Sequence, residues 1–190
     1  MTDLSKSELR SVLRQRRRSL SADAQAAARR EVTRAVYTLP EWSRVQRIAI
    51  YHTADGEIET DDIIQRCHSE GIQVYLPVIG PQRSMVFAHW GPNEQLVKNS
   101  FGIFEPPENA SLCPAANLDI LFLPLVGWDK SGGRLGMGAG YYDRVLVGIT
   151  GPLLVGLAHR EQEVEEIPLD SWDMPLDVII TDAGTYHCRK

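Results

Sequence analysis

The feature that most constrains this chain is an apolar run that passes almost directly into a glycine-rich segment. Residues 118–126 read LDILFLPLV, and residues 132–143 contain five glycines. A continuous apolar run of this length is typical of a strand buried on both faces of a sheet. We predict a helix over 140–147, so the order is buried strand, glycine loop and helix. This order places the loop where a ligand can meet backbone N–H groups and a helix N-terminus.

The remaining chain alternates predicted helices with predicted strands. Helices are expected over 6–18, 21–37 and 60–70, beginning at capping residues Ser5, Ser21 and Thr60. Apolar and β-branched runs predict strands at residues 47–53, 73–79, 85–90, 118–126, 153–158 and 178–181. Residues 91–117 are polar and rich in proline, and we expect a loop there. The alternation predicts an α/β fold with a mainly parallel sheet covered on both faces and ligands at the carboxyl ends of the central strands.

Length and composition favour one domain over residues 1–190. A chain of 190 residues can bury one substantial core and is short for two. The apolar run is broken by Pro124 and is far shorter than the roughly 20 residues that span a bilayer. The basic N-terminus has no apolar run behind it, so we expect no signal peptide and a cytoplasmic location. The three cysteines are scattered and predict reduced thiols without a role.

Positive charge is concentrated at the N-terminus. The net charge is −5, yet the first 34 residues hold nine Lys or Arg against four acids. Lys6, Arg10 and Arg14 recur every fourth residue, so all three lie on one face of the predicted helix and can converge on one anion. A solvated helix face and a nucleic-acid-binding arm are the other interpretations of the same charges.

The glycine segment matches neither of the standard nucleotide-binding spacings. It is not GxxxxGK[ST] and not GxGxxG. Its embedded Arg134 and trailing Tyr-Tyr-Asp still favour ligand binding, because phosphoryl transfer needs cations around the phosphate oxygens. Asp143, Asp173 and Asp177 are candidates for holding Mg²⁺, which takes one or two carboxylates and completes its shell with phosphate oxygens and water.

Several segments together resemble one enzyme family. RLGMGAGYYDR at residues 134–144 is similar to the RLGxGxGYYD signature of the 5-formyltetrahydrofolate cyclo-ligase family. Lys6-x-x-x-Arg10 resembles that family's ATP-contacting pair, and residues 57–60 (EIET) resemble its folate-site segment. Residues 101–106 (FGIFEP) and 167–173 (IPLDSWD) fall in the expected order, so the resemblance covers most of the chain.

The resemblance implies a fold, a reaction and a set of site residues. The fold is a three-layer, Rossmann-like α/β sandwich. The reaction is ATP-dependent cyclisation of 5-formyltetrahydrofolate to 5,10-methenyltetrahydrofolate, with ADP and phosphate as products and Mg²⁺ as the metal. The formyl oxygen attacks the γ-phosphate, and N10 of the same folate then displaces the phosphate. The implied partners are these small molecules, and we expect a monomer without nucleic-acid or membrane partners.

The implied site has three parts, one for ATP, one for folate and one for the metal. Arg134 has the catalytic role, as a stabiliser of the transition state. The ATP residues are Lys6, Arg10, Arg134, Leu135, Gly136, Met137, Gly138, Ala139, Gly140, Tyr141 and Tyr142. The folate residues are His52, Glu57, Phe101 and Tyr141, and the Mg²⁺ ligands are Asp143 and Asp173.

One position departs from the family pattern, and two other functions stay open. Many members have Lys where this chain has Ala139, so that charge falls to Arg134 or the first helix. Arg16, Arg17 and Arg18 are candidates for attracting the polyglutamate tail of cellular folates. The alternatives are a sugar-phosphate isomerase or acyl-transfer relative that binds an anion in the same loop, and a nucleic-acid-binding module that uses the basic helix.

Overall fold

The computed structural model describes residues 4–99 and 104–188. Within these residues the helices are α1 (Lys6–Arg18), α2 (Ala22–Tyr37), α3 (Asp61–Ser69) and α4 (Tyr141–Leu146). The strands are β1 (Arg47–Ala49), β2 (Gln73–Ile79), β3 (Met85–His89), β4 (Val97–Lys98), β5 (Phe104–Glu105), β6 (Leu112–Cys113), β7 (Ile120–Pro124), β8 (Gly127–Trp128), β9 (Arg134–Leu135), β10 (Leu153–Ala158), β11 (Val178–Thr181) and β12 (Gly184–His187).

Eight of these strands form one mixed sheet. Its order is β12-β11-β10-β7-β1-β2-β3-β6. The inner block from β11 to β2 is parallel, whereas β12, β3 and β6 join it in antiparallel pairs at the two sides. The predicted α/β fold with a mainly parallel sheet is therefore confirmed. Two short antiparallel pairs, β4-β5 and β8-β9, lie outside this sheet.

Successive residues of the central strands face two different apolar layers. On β7, Ile120 and Phe122 pack in the layer that contains α2 and α3, with Val32 and Ile63 among its buried residues. The alternate residues of β7 face the other layer, where Leu146 of α4 is buried with Trp128. Because side chains alternate along a strand, the nearly unbroken apolar sequence of β7 is what burial on both faces requires.

Two strands near the sheet edges were not expected from the sequence. β6 lies within residues 91–117, which we predicted as loop, and that prediction is wrong there because β6 pairs with β3. It is also wrong for β4 and β5, which lie in the same range and pair with each other. β12 follows β11, which we took as the last strand, and pairs with it in an antiparallel hairpin. Strands this short carry too few residues to show a period, so only their partners define them.

The predicted helix starts are confirmed for α1, α2 and α3, but the expected side-chain cap is present only at α1 and α2. Ser5 and Glu8 form the expected capping box, and the Ser21 hydroxyl accepts from Ala24 N. Thr60 occupies the N-cap position of α3 without capping it, because its hydroxyl donates to the Tyr51 carbonyl at 2.9 Å. This bond ties the start of α3 to the segment that follows β1. No helix in the described ranges is long and apolar enough to cross a membrane.

Candidate active site

A cavity of about 760 Å³ opens at the carboxyl ends of β1, β2 and β7. The strand order reverses between β1 and β7, since the chain moves from β1 to β2 on one side and continues from β7 to β10 on the other. Ligands of open α/β sheets bind at such a reversal. The segment after β1, the glycine segment, the start of α1 and the segment 170–173 all contribute walls. The cavity therefore lies at the end of the sheet where the sequence predicts ligand binding.

The first two glycines of the glycine segment have a structural role. They form the turn between β8 and β9, where the Asp129 carboxylate accepts from Ser131 N at 2.8 Å, Gly133 N at 3.0 Å and Ile167 N at 2.7 Å. A Cβ on Gly133 would lie 2.2 Å from Asp129 Oδ2. The N–H of Gly132 donates to the Asp129 carbonyl. These amides are already bonded within the protein, so the part of the segment that faces the cavity begins at Arg134.

The later glycines pack against two guanidinium groups. Arg10 Nε donates to the Gly136 carbonyl at 2.8 Å, and a Cβ on Gly138 would lie 3.4 Å from Arg10 Cζ. A Cβ on Gly136 would lie 3.1 Å from Arg134 Nη1. Gly138 also has a φ of 97°, in the region that favours glycine. The loop thus allows the two cations to approach its backbone, and both line the cavity.

Arg134 is held under the loop by a carboxylate. Its side chain is 4% exposed, and Nη2 donates to Asp143 Oδ1 at 2.5 Å. The Tyr142 ring centroid lies 5.7 Å from Arg134 Cζ, and burial raises the pKa of that tyrosine well above its usual value. Arg134 Nε is buried and has no hydrogen-bond partner within the described residues. A buried donor without a partner is costly unless a ligand supplies an acceptor, so Arg134 suits an anionic ligand.

Lys6 connects α1 to the opposite wall. Its Nζ lies 2.6 Å from Asp170 Oδ2 and 2.9 Å from Asp173 Oδ2. Burial alone would lower the pKa of Lys6, but the two carboxylates outweigh it and raise the pKa. Burial opposes ionisation of Asp173 as well, yet its bonds to Asp170 N and Lys6 lower its pKa. The pair is charged at neutral pH and faces the cavity.

The predicted alignment of three cations on α1 is only partly a feature of the cavity. Lys6 and Arg10 line it, whereas Arg14 Nε donates to Asp55 Oδ2 at 2.9 Å, away from it. The expectation that Arg14 joins the other two on one anion is therefore wrong. Asp55 lies 41 residues further along the chain, and the helix period alone cannot show that partner.

Asp143 and Asp173 belong to segments in contact and have the donor type that a magnesium ion needs. Met174 N lies 3.4 Å from Asp143 Oδ1, so the residue after Asp173 contacts the Asp143 carboxylate. Both aspartates line the cavity and offer the hard oxygen donors that Mg²⁺ prefers. Asp177 does not join them, because its carboxylate accepts from Leu154 N at the amino end of β10. Asp177 is therefore not a candidate ligand for Mg²⁺ in this cavity.

Glu57 and His52 form the wall of the cavity on the β1 side. Glu57 has a pKa raised to about 7, because burial disfavours the carboxylate more than Arg17 and the Ala54 N–H favour it. Arg17 Nη1 lies 3.9 Å from Glu57 Oε1. The His52 ring lies 6.1 Å from the Phe104 ring at an interplanar angle of 41°. Phe101, the other residue expected on this side, lies outside the described residues.

A buried arginine supports the segment that carries Glu57. Arg17 is fully buried, and it donates to the Asp55 carbonyl at 2.9 Å, to Asp55 Oδ2 at 2.7 Å and to the Leu125 carbonyl at 3.1 Å. Arg18 also pairs with the Asp55 carboxylate. Burial would raise the pKa of Asp55, but Arg14, Arg18 and Arg17 lower it. These arginines are therefore bound within the protein, and the suggested polyglutamate role for Arg17 and Arg18 loses its basis.

Several cavity residues were not singled out from the sequence. Phe104, Asp170 and Trp172 belong to segments that carried the family resemblance, so that signal was present but was applied to neighbouring residues. Arg83 and Arg144 also line the cavity, and no motif marked Arg83. Its position depends on the turn between β2 and β3, which only the folded hairpin defines.

One further cluster, His159, Glu161 and Asp182, has the spacing of a metal site within the described residues. The His159 Nε2 contacts the Gly56 carbonyl at 3.1 Å, and Asp182 accepts from Arg160 N at 2.9 Å. Burial lowers the pKa of His159. His159 thus holds the Gly56 turn and Asp182 holds Arg160, so both groups have structural partners.

Comparison with known proteins gives one consistent family. The model of the 5-formyltetrahydrofolate cyclo-ligase family matches residues 2–182. The chain is 39% identical to a 5-formyltetrahydrofolate cyclo-ligase of Haemophilus influenzae, over 95% of this chain and 100% of that protein. It is 36% identical to the Escherichia coli protein of the same name, over 93% and 100%, and 32% identical to the Mus musculus protein, over 90% and 91%.

Solved structures agree with this result. An NMR structure of Aquifex aeolicus 5,10-methenyltetrahydrofolate synthetase superposes with a TM-score of 0.86 at 29% identity, covering 98% of this chain and 94% of that one. The structure of a Mycoplasma pneumoniae 5,10-methenyltetrahydrofolate synthetase gives a TM-score of 0.78 at 24% identity, over 94% and 99% of the chains, and supports the fold alone.

Proposed function

Because this chain belongs to the 5-formyltetrahydrofolate cyclo-ligase family, we infer that it converts 5-formyltetrahydrofolate to 5,10-methenyltetrahydrofolate. The observation that carries the inference to particular residues is the shared cavity. The family-like segment 134–143 and the Glu57 wall face the same space, which is large enough for a folate and the phosphates of a nucleotide. Family membership favours this reaction over the isomerase or acyl-transfer alternative. The cytoplasmic location and the monomeric state stay predictions.

We further propose that ATP is the second substrate and that its phosphates bind between α1 and the glycine loop. Lys6, Arg10 and Arg134 meet there, and two of them already hold carboxylates that a phosphate can replace. The loop from Leu135 to Tyr142 supplies backbone groups around them. Concentrated positive charge in a partly buried site stabilises phosphate more strongly than the same charges do in water.

Asp143 and Asp173 are proposed to hold Mg²⁺. When bound, the ion would neutralise charge on the phosphate oxygens and help to fix the nucleotide. Binding of phosphate to Arg134 and Lys6 would free the two aspartates from their present ion pairs. The same cations and carboxylates thus neutralise one another in the described structure and are available together when nucleotide and metal bind.

The proposed chemistry makes a poor leaving group into a good one. The formyl oxygen on N5 attacks the γ-phosphorus, the bond to ADP breaks, and the formyl carbon then carries a phosphate ester. N10 attacks that carbon and loses its proton to solvent, the C–O bond breaks, and phosphate leaves with the former formyl oxygen. Arg134 is proposed to stabilise the charge on the transferring phosphoryl group, and Glu57 and His52 are proposed to position the folate. Tyr141, which also lines the cavity, is proposed to pack on the folate ring.

The test is the growth of methenyltetrahydrofolate absorbance when 5-formyltetrahydrofolate, ATP and Mg²⁺ are added to the protein. We expect growth that stops when ATP is omitted, and a flat trace with folded protein would contradict the activity. Arg134→Ala should abolish turnover while circular dichroism shows a folded chain. Arg66→Ala is the matched control, because Arg66 is paired with Glu70 on the surface of α3 and lies outside the cavity.

A further inference from the structure

Five cationic side chains line the cavity among the described residues, and they differ in their partners. Among the described residues that line it, Lys6 and Arg134 are ion-paired with aspartates, and Arg10 is fixed to the loop carbonyl of Gly136. Arg83 and Arg144 also line the cavity, and neither has a carboxylate within ion-pair distance in the part of the chain that the structure describes. The phosphate chemistry proposed above uses the first group and leaves these two arginines without a role.

Arg83 and Arg144 adjoin each other at the outer rim. Arg144 Nε lies 3.4 Å from the Arg83 carbonyl, and its Nη2 donates to the Ala139 carbonyl. Both residues are exposed, and the Arg144 guanidinium lies 5.8 Å from the Tyr141 ring centroid. Neither guanidinium group has a carboxylate partner among the described residues, so an acidic ligand that reaches both would supply one.

The turn that carries Arg83 has an unusual backbone. Gln82 and Arg83 both have left-handed conformations, with φ of 55° and 60°. The turn is closed by Gly80 N donating to the Ser84 carbonyl at 2.9 Å and by the Ser84 hydroxyl donating to the Pro81 carbonyl at 2.8 Å. Two consecutive non-glycine residues in this region carry a strain that surrounding contacts must offset. The strained turn carries Arg83, which lines the cavity.

The cavity that Glu57 and the two arginines line also has an apolar wall. Ile79 and Met85 are paired across the β2-β3 hairpin, and Phe104 and Val147 line the cavity with them. Leu76 at the inner end of that hairpin and Ile79 are three residues apart, a span of roughly 10 Å along a strand. A folate with its pterin at Glu57 and its aminobenzoyl group along this strand would carry its acidic end towards the hairpin turn that holds Arg83.

We propose that Arg83 and Arg144 form the subsite for the glutamate carboxylates of the folate, including the first residues of a polyglutamate tail. The inference rests on the proposed function, because it takes the pterin end to lie at Glu57. Guanidinium groups match carboxylates in geometry and charge, so two of them on contacting residues of one cavity suit an α-carboxylate and its neighbour. Arg17 and Arg18 are committed to Asp55 and do not compete for this role.

The test compares two substrates in each protein variant. One is 5-formyltetrahydrofolate with its glutamate, and the other is the truncated 5-formyltetrahydropteroate, which has no glutamate. The quantity measured is the ratio of kcat/KM for the two. We expect Arg83→Gln and Arg144→Gln each to lower this ratio about three- to tenfold, mainly through the KM of the glutamylated substrate, as expected for loss of an exposed charge-assisted contact.

Arg30→Gln is the matched control, because Arg30 is exposed on α2 and has no ion pair within the described residues. An unchanged ratio in both rim variants, with a wild-type enzyme that turns over both substrates, would overturn the subsite and leave the activity standing. A wild-type enzyme inactive on both substrates would instead contradict the proposed function. Because Arg144 also contacts the loop, its variant can lower turnover of both substrates, and the ratio still isolates the tail.

Discussion

At Glu57, burial and a neighbouring guanidinium act in opposite directions on one carboxyl group. Burial prevails, and the pKa rises to about 7 although Arg17 Nη1 lies 3.9 Å away. Arg17 donates its hydrogen bonds to Asp55 and to the Leu125 carbonyl, so it compensates Glu57 only through space. Near neutral pH the carboxyl group is therefore present in both protonation states. A group in this state can donate to or accept from a pterin edge.

The pKa of Glu57 predicts a pH dependence of stability. A carboxyl group whose pKa is higher in the folded chain than its model value of 4.5 binds its proton more tightly when folded. Its contribution to stability is therefore present below about pH 4.5 and is lost as the pH rises towards 7. We expect Glu57→Gln to gain unfolding free energy relative to wild type between pH 5 and pH 8, measured by urea denaturation.

The control for this prediction is Glu108→Gln, which changes an exposed glutamate by the same chemistry. Its unfolding free energy relative to wild type should stay constant over the same pH range. A Glu57→Gln difference that is equally flat would show that burial does not shift this group.

The first helix, α1, divides its positive charge between two tasks. Lys6 and Arg10 face the cavity, whereas Arg14, Arg17 and Arg18 all bind Asp55. This internal pairing argues against a basic arm that binds nucleic acid, because these side chains are held by Asp55 and are not presented together to a ligand. It also gives the helix a fixed position relative to the segment that carries Glu57.

We predict that Asp55→Asn destabilises the chain far more than removal of an exposed partner. Arg17 is fully buried, and loss of its carboxylate leaves a buried charge uncompensated, which costs about 3–5 kcal/mol. Glu31→Gln removes a partner of Arg34 on α2, where both side chains are exposed, and should cost less than about 1 kcal/mol. Urea denaturation of both variants measures the contrast. Equal losses would mean that the Asp55 cluster contributes no more than a surface pair.

The glycine segment is also divided, since its first part is a hairpin turn and its second part is a loop over two arginines. Gly132 has a φ of 93°, and a Cβ there would lie 2.6 Å from the Leu176 carbonyl oxygen. Gly148 has a φ of 71° with no atom near the position of a Cβ. The two glycines share the backbone requirement and differ in space.

We expect Gly148→Ala to cost about 1–2 kcal/mol through its left-handed conformation alone. Gly132→Ala should cost at least about 2 kcal/mol more, because backbone must also move to admit the methyl group. Thermal and urea unfolding of the two variants compare these values. Similar costs would show that the β8-β9 turn tolerates the close contact.

Across the whole molecule, local sequence signals predicted the sheet and the end of it at which the cavity opens. Apolar runs indicated β2, β7, β10 and β11, and the glycine segment indicated which strand leads to the site. The edge strands β6 and β12 were not predicted from the sequence, because they are defined by their pairing and not by a sequence period. The burial of Arg17 against Asp55 was not predicted either, because its position on a basic helix gives no sign of that contact. Site residues supplied by turns, such as Arg83, also depend on the folded hairpin.

The proposed reaction depends on one event, the transfer of the γ-phosphoryl group to the formyl oxygen in the cavity where the strand order reverses between β1 and β7. The measurement that tests it most directly uses 5-formyltetrahydrofolate with ¹⁸O in the formyl group, a single turnover with ATP and mass analysis of the phosphate released. We predict that the ¹⁸O label appears in the inorganic phosphate. Methenyltetrahydrofolate formed together with unlabelled phosphate would contradict it.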